Sequence, residues 1–379
     1  MLKKNILKIT LSVILIVILT IIINGLTVKN KLSFAEVNKK SGDDDGKPAE
    51  EVYKNIQVLK GMPANDLHMV MHFMRSSLNV KCSFCHLHDD KANTWNWESD
   101  SLEPKRTARE MITMTKNINN QNFEGNMGVT CYTCHRGSTN PAKTPPLPQV
   151  PPKDFTREDR SKLPTDNIVM DNYFKAMGIT NPADIKTKYS KGTSTLWDGK
   201  SYPVEIYQQA PDKFLSILTA PDGSKIYRGY DGKTGWTQNG NDIQPVEGYS
   251  LEVLKQYADF YHELNPKLKY SDLKVIGSDT VDGSNCYVLR GTVSDKQFDR
   301  LYYDINTGYL VRITTYSKSV LGYIPERIEY GSYISAGGIM APMTVEFSYL
   351  DPWAEVSRQF SEVKYNVSLD NISFTMPVK

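Results

Sequence analysis

The hydrophobic pattern changes character three times along the chain. Ile9–Val28 carry no charged side chain, and about twenty such residues span a bilayer as a helix. Lys3, Lys4 and Lys8 precede the run, which predicts a cytoplasmic N-terminus and an exported remainder. "SFA" at Ser33–Ala35 has the small residues of a signal-peptide cleavage site, although it lies far beyond the apolar run. Residues 1–35 therefore read as a membrane anchor or a signal peptide, and both place the folded part outside the cytoplasm. Residues 36–50, with "SGDDDGKPAEE" running on to Glu51, read as an acidic, solvated spacer.

A helical period follows. From Asn65, with Asp66 in the first turn, Leu67, Met71, Met74 and Leu78 recur at the spacing of one helix face. A second helix is predicted from Pro104, with Ala108, Met111, Thr115 and Ile118 along one stripe. After the proline-rich stretch "NPAKTPPLPQVPPKD" the period drops to two. "SYPVEIYQQA", "KFLSILTA", "SKIYRGYDG", "CYVLRGTV", "FDRLYYDINTGYLVRITTYS", "RIEYGSYIS" and "MTVEFSYL" alternate as strands, separated by turn signals such as "APDGS" and "VDGSN". "NIVMDNYFKAMGI" suits a short helix, and "LEVLKQYADFYHEL" is the one substantial helix inside the strand-rich part.

The pattern predicts an α+β multidomain protein: a small helical domain at 51–141, a proline-rich linker at 142–165 and a β-rich domain at 166–379. Composition adds little. The 379 residues carry 45 Lys and Arg against 43 Asp and Glu, so no basic patch suggests nucleic acid as a partner. Residues 51–141 hold ten Lys or Arg and nine Asp or Glu, too even a balance to steer a charged partner.

The chemistry lies in "CSFCH" at 82–86 and "CYTCH" at 131–135, which use four of five cysteines. An accidental C-x-x-C-H is expected in roughly one such chain per thousand, so two copies are a device. Disulfides, a zinc site and c-type haem compete. A disulfide needs no following histidine, and zinc ribbons usually space their cysteine pairs more closely. Haem c uses every element: Cys82 and Cys85, and again Cys131 and Cys134, would bind one porphyrin each, with His86 and His135 beneath the iron. The implied cofactors are two covalently bound haem c. The repeated order of methionine helix, loop and C-x-x-C-H reads as an internal duplication. For the sixth ligand the residues leave several candidates. Met69, Met71 and Met74, or His68, His72 and His88, lie near the first motif; Met111, Met114 and Met127 lie near the second. Methionine at helical spacing is also ordinary core filler. Cys286 in "SNCYVLR" has the alternation of a buried strand position.

"KNIQVLKGMPANDLHMVMHFM", "KRTAREMITMTKNIN" and above all "GVTCYTCHRG" resemble the photosynthetic reaction-centre cytochrome c subunit family, in its two-haem portion, from about Val52 to Pro141. In that family each haem's helix supplies a methionine to the iron, and the resemblance puts these on Met71 and Met111. The four-haem members have two further motifs absent here, and no cysteine precedes Cys82 for lipid attachment. Uncharged imidazole and thioether ligands favour reduced iron and leave no open coordination position. The order "YFKAMG…YDGKTGWTQNG…YYDINTGYLVR…MAPMTVEF" resembles the lipoprotein-carrier (LolA-like) half-barrel family over about 166–379, whose members hold lipid chains on a concave sheet. The expected function is an extracytoplasmic, membrane-associated dihaem electron carrier, passing electrons between a membrane redox complex and another redox protein. A dihaem, peroxidase-like enzyme with one open haem is the alternative, and lipid or partner binding by the β domain would be an additional role.

Overall fold

The computed structural model describes residues 47–145, 160–196, 199–350 and 356–378. The expected membrane helix at Ile9–Val28 and most of the acidic spacer lie outside these residues. Among the described helices none is long and apolar enough to cross a membrane. The chain divides into Met1–Lys40 and Ser41–Lys379, and only the second unit is described below.

Its N-terminal part is helical. The helix Asp66–Leu78 stops at Asn79, which turns left-handed at φ 54°, a conformation asparagine tolerates well. The helix Glu103–Asn122 opens with Pro104 in its first turn, where the missing N–H goes unneeded. The observed burial departs from the expected stripes. Val70, Phe73 and Ser77 are the buried residues of the first helix, while Leu67, Met71 and Met74 pack half-buried beside them. On the second helix Ile112 and Thr115 are buried. The reason is a partner 250 residues away: Val70, Phe73 and Ile112 share an apolar cluster with Leu321 and Ile324 of the β-rich part. Gly322 makes this contact possible, because a Cβ there would lie 2.5 Å from the Phe73 ring. The Ser76 hydroxyl also donates to the Leu350 carbonyl.

The β-rich part is one thirteen-stranded antiparallel sheet made of two meanders. Six strands run from Thr187–Thr195 to the edge strand Asp242–Val246, and seven run from the other edge, Lys274–Val281, to Val356–Tyr365. The first strand of one meander pairs with the last strand of the other, in a register that sets Lys188 opposite Tyr365 and Thr195 opposite Ser357. Twisted sheets of more than about ten strands curl. One face of this sheet packs on the helices Asp166–Met177 and Gly248–Ala258 in a single large core containing Tyr173, Leu254, Tyr303 and Phe347. The opposite face carries smaller clusters. In one, Trp236 packs with Leu215 and Phe374 and donates to the Phe374 carbonyl at 2.7 Å. In another, Cys286 is fully buried beside Val288 and Tyr302, and burial pushes its thiol up to about 11.

Two expectations need correction. "LEVLKQYADFYHEL" is not one helix: it ends at Ala258, Asp259 is extended, and a new turn spans Tyr261–Leu264. The Phe260 N–H donates to the Pro211 carbonyl at 3.0 Å, which draws the backbone out of the helical ladder. The central strand Thr187–Thr195 escaped the alternation pattern because its buried positions are Lys188, Ser190 and Ser194, which carry no hydrophobic signal.

A polar network fixes the entry to the Glu103–Asn122 helix. Asp100 accepts from Arg109 at 2.8 Å and from Asn55 at 2.9 Å, while Lys105 donates to the Trp97 and Ser99 carbonyls at 2.7 and 2.9 Å. The Arg109 guanidinium, then Asn55, hold the Asp100 carboxyl well below the usual carboxylate range. Its stabilisation is therefore fully present above the unfolded carboxylate value of about 3.9 and is lost as pH falls below it. In an acid titration followed by circular dichroism, Asp100→Asn should be less stable than wild type at neutral pH and should show a shallower acid limb. Gly322→Ala should cost about 1–3 kcal/mol in urea unfolding, as overpacking does. Combining it with Phe73→Ala should cost less than the two changes separately, since the pair shares one contact.

Candidate haem-attachment site

Both C-x-x-C-H segments fold as single tight turns. In the first, Cys82–Phe84 form a 3₁₀ turn, and the Cys85 and His86 N–H groups donate to the Cys82 carbonyl at 3.2 and 3.0 Å. In the second, Cys131–His135 form a short helix capped by Thr130, whose side chain pairs reciprocally with Thr133. Residues three and four apart share a helix face, so each turn sets two thiols and one imidazole on one side. Asn119 holds the approach to the second turn: its side chain accepts from the Gly128 and Val129 N–H groups at 3.0 and 2.9 Å and donates to the Val129 carbonyl at 2.9 Å. The Gly137 N–H then donates to the Ser77 carbonyl at 2.9 Å, tying the motif to the Asp66–Leu78 helix.

The two motif histidines share a feature with direct chemical meaning. His86 Nδ1 lies 3.0 Å from the Trp97 carbonyl, and His135 Nδ1 lies 2.9 Å from the Ser138 carbonyl. A carbonyl only accepts, so Nδ1 carries a proton in both rings, and in the neutral imidazole Nε2 then keeps its lone pair. A neutral imidazole oriented through its other nitrogen is the usual state of a metal-ligating histidine. Burial holds the His86 imidazole below its ordinary value, which favours the neutral form. Burial likewise pushes the Cys85 and Cys131 thiols up, the opposite of what a reactive thiolate pair requires.

The remaining candidates are placed less symmetrically. Met69, Met71, Met74 and Cys131 all pack on the cluster of Val70, Phe73 and Ile112. Met111 and Met127 are half-buried and Met114 is exposed. The rings of His68 and His72 meet edge to face at 4.6 Å. His88 has both nitrogens engaged, Nδ1 with Asp90 at 2.8 Å and Nε2 with Asn93 at 3.2 Å, and it stands against Trp95. Trp95 and Trp97 stack on each other at 4.4 Å, and Trp97 meets the His86 ring edge-on at 5.1 Å. The first motif is bordered by these indoles and by Lys105 and Arg109.

A c-type haem fits these residues on three counts. All four motif cysteines are free thiols, as thioether attachment needs. Each motif imidazole has Nε2 available. Among the described residues, eight of the seventeen exposed large hydrophobic side chains lie between Tyr53 and Tyr132, including Phe84, Trp97, Phe123 and Tyr132; so much uncovered apolar surface marks a binding site. Sequence reasoning missed Asn119, Asp100 and the Trp97 carbonyl. The first two are polar residues in polar surroundings, and a backbone carbonyl has no side-chain signature.

Comparison with known proteins places this segment. Residues 22–158 match the sequence model of the photosynthetic reaction centre cytochrome C subunit family. The photosynthetic reaction center cytochrome c subunit of Thermochromatium tepidum is 33% identical over 118 residues, covering 29% of this chain and 28% of that protein. Its counterpart in Roseobacter denitrificans is 36% identical over 103 residues, covering 25% of this chain and 27% of that protein. Cytochrome c-554 of Chloroflexus aurantiacus is 32% identical over 93 residues, covering 23% of this chain and 21% of that protein. The chain thus spans about a quarter of the length of these relatives. Among solved structures, a LolA superfamily protein from Nitrosomonas europaea is 17% identical, covers 56% of this chain and 98% of its own, and gives a TM-score of 0.39. A putative outer membrane lipoprotein-sorting protein domain from Vibrio parahaemolyticus is 9% identical, covers 53% of this chain and 92% of its own, and also gives 0.39. Residues 22–158 carry a domain of the photosynthetic reaction-centre cytochrome c subunit family, and a large antiparallel sheet follows it.

Proposed function

We propose that residues 51–141 form a dihaem c-type cytochrome domain, and that the protein carries electrons outside the cytoplasm between a membrane redox complex and another redox protein. Cys82 and Cys85 would attach one haem and Cys131 and Cys134 the other, and His86, His135, Met71 and Met111 would supply ligands to the irons. A haem held this way supplies reversible one-electron iron chemistry. The chain's own work is positional. The Trp97 and Ser138 carbonyls fix the proton on Nδ1 and so orient each imidazole. Asn119 and the Thr130–Thr133 cap hold the second thiol pair in register. Trp95, Trp97, Phe84 and Tyr132 offer apolar area that excludes water from whatever lies against them. The observation that carries this reading is that His86 and His135 each face a backbone carbonyl through Nδ1, at 3.0 and 2.9 Å.

The peroxidase-like alternative needs an acid–base histidine free to reach a sixth position. His88 is engaged at both nitrogens and His262 is paired with Asp299 inside the sheet at 3.2 Å, which leaves His68 and His72 for that role. Membrane association would come from the segment at residues 1–35. The even charge balance of residues 51–141 suits redox partners recognised by shape and apolar contact.

Matured holoprotein should contain two haems per chain by the pyridine haemochrome assay. Near-infrared magnetic circular dichroism of the oxidised protein should show two low-spin His/Met signals, with Met71→Ala and Met111→Ala each removing one. A high-spin iron in the unmutated protein would shift the assignment to an enzyme. A bis-histidine signal would keep the carrier and move a ligand to His68 or His72.

A further inference from the structure

The two motif histidines meet backbone carbonyls at nearly the same distance, but the carbonyls differ in their surroundings. The Trp97 carbonyl lies 3.0 Å from His86 Nδ1 and also accepts from the Lys105 ammonium at 2.7 Å. Lys105 donates as well to the Ser99 carbonyl at 2.9 Å, so its charge is pinned at the oxygen that orients the imidazole. At the second motif His135 Nδ1 lies 2.9 Å from the Ser138 carbonyl. Ser138 and the adjacent cation Arg136 are both exposed, and water and salt screen an exposed charge.

The sequence places the cation at the first motif. Lys105 is the third residue of the helix Glu103–Asn122, and Arg109 follows one turn later on the same face. Both side chains are largely covered, 13% and 15% exposed, and Asp100 serves both, at 3.4 and 2.8 Å. Two cations against one carboxylate leave a net positive charge beside the first motif, where screening is weaker than in open water. Its reach to the ring is visible in His86 itself. Burial first, then the Lys105 and Arg109 charges, hold the imidazole below its ordinary value, against the pull of the Trp97 carbonyl.

For an iron-bound imidazole these charges act in one direction. An acceptor on the Nδ1–H raises the basicity of the ligand and so favours oxidised iron. A cation on that same acceptor oxygen draws off its electron density and weakens the effect. A positive charge nearby also opposes the extra charge of the oxidised state. Hydrogen bonding around an axial ligand is one of the levers by which a protein sets a haem potential.

We propose that Lys105 is a positioning residue that biases the haem of the first motif toward reduced iron, through the Trp97 carbonyl and His86, and so sets it apart from the haem of the second. This rests on the dihaem reading above.

The test is spectroelectrochemical titration of the full-length holoprotein beside Lys105→Gln and Lys105→Arg, with haem content and melting temperature measured for each. Both replacements keep a hydrogen-bond donor, and only arginine keeps the charge. Lys105→Gln should lower one of the two one-electron steps by at least threefold in its equilibrium constant, about 28 mV at 59 mV per tenfold. The other step should move by less than a third as much, and Lys105→Arg should leave both near wild type. Asp100→Asn, which removes the carboxylate shared by the two cations, should raise the same step and so tests the charge independently of Lys105. Steps unmoved in Lys105→Gln and Asp100→Asn, two steps moved equally, or a step raised by Lys105→Gln overturns the inference. So does Lys105→Arg lowering the step as far as Lys105→Gln, which would make Lys105 purely structural. Fewer than two haems in the unmutated chain overturns the dihaem reading and this inference with it, whereas two haems with unmoved steps overturns this inference alone.

Discussion

A segment of about ninety residues cannot hide much of its own apolar surface, because small chains bury a smaller fraction of it. This constraint shapes the whole N-terminal part. Its buried hydrophobic side chains are few: Val70, Phe73 and Ile112 on the two main helices, with Ala49, Leu59, Met62 and Ala64 before them. What remains uncovered is mostly aromatic, and Phe84 and Tyr132 lie within the two thiol-bearing turns themselves. Two means of covering surface are open to such a segment. One is a large flat apolar group attached where the aromatics stand. The other is contact with a neighbouring part of the chain, which Phe73 achieves on Gly322.

That contact changes the meaning of the proline-rich stretch before the sheet. On composition it reads as a semi-rigid spacer. The Asp66–Leu78 helix nevertheless packs directly on the turn around Leu321 and Ile324, so packing rather than linker stiffness sets the separation of these elements. For an electron carrier this matters physically. A thiol-bearing turn tied through the Gly137–Ser77 bond to a helix docked on a large sheet is held against rotation.

How much of this was legible varied with the kind of signal. Cys82, Cys85 and His86, and their counterparts at 131–135, announced themselves because chemistry demands those residue types at that spacing. The helices were readable from period and from Pro104, and most strands from alternation. Long-range partners were not: nothing in "DLHMVMHFM" says that Val70 and Phe73, rather than Met71 and Met74, face a turn 250 residues on. The strand Thr187–Thr195 was invisible for a related reason. Alternation detects burial only when buried residues are apolar, and here they are Lys188, Ser190 and Ser194. The methionines are the middle case. Helical spacing identifies several on each helix, yet half-burial of Met71, Met74 and Met111 alike gives no ranking beyond the one family resemblance supplies.

The two halves depart from packing rules in opposite senses, and the contrast is informative. Exposed Phe84, Trp97 and Tyr132 break the rule that large apolar groups find cover. Arg358 and Arg228 are half-buried, each with an Nε buried away from any acceptor, against the rule that buried polar groups find partners. Neither fault helps the bare chain: the first invites association and the second opposes folding. One remedy does not serve both, since a flat apolar group covers indoles whereas only an acceptor satisfies a guanidinium N–H. The two departures are chemically distinct: one is uncovered apolar surface, the other is unused hydrogen-bonding capacity.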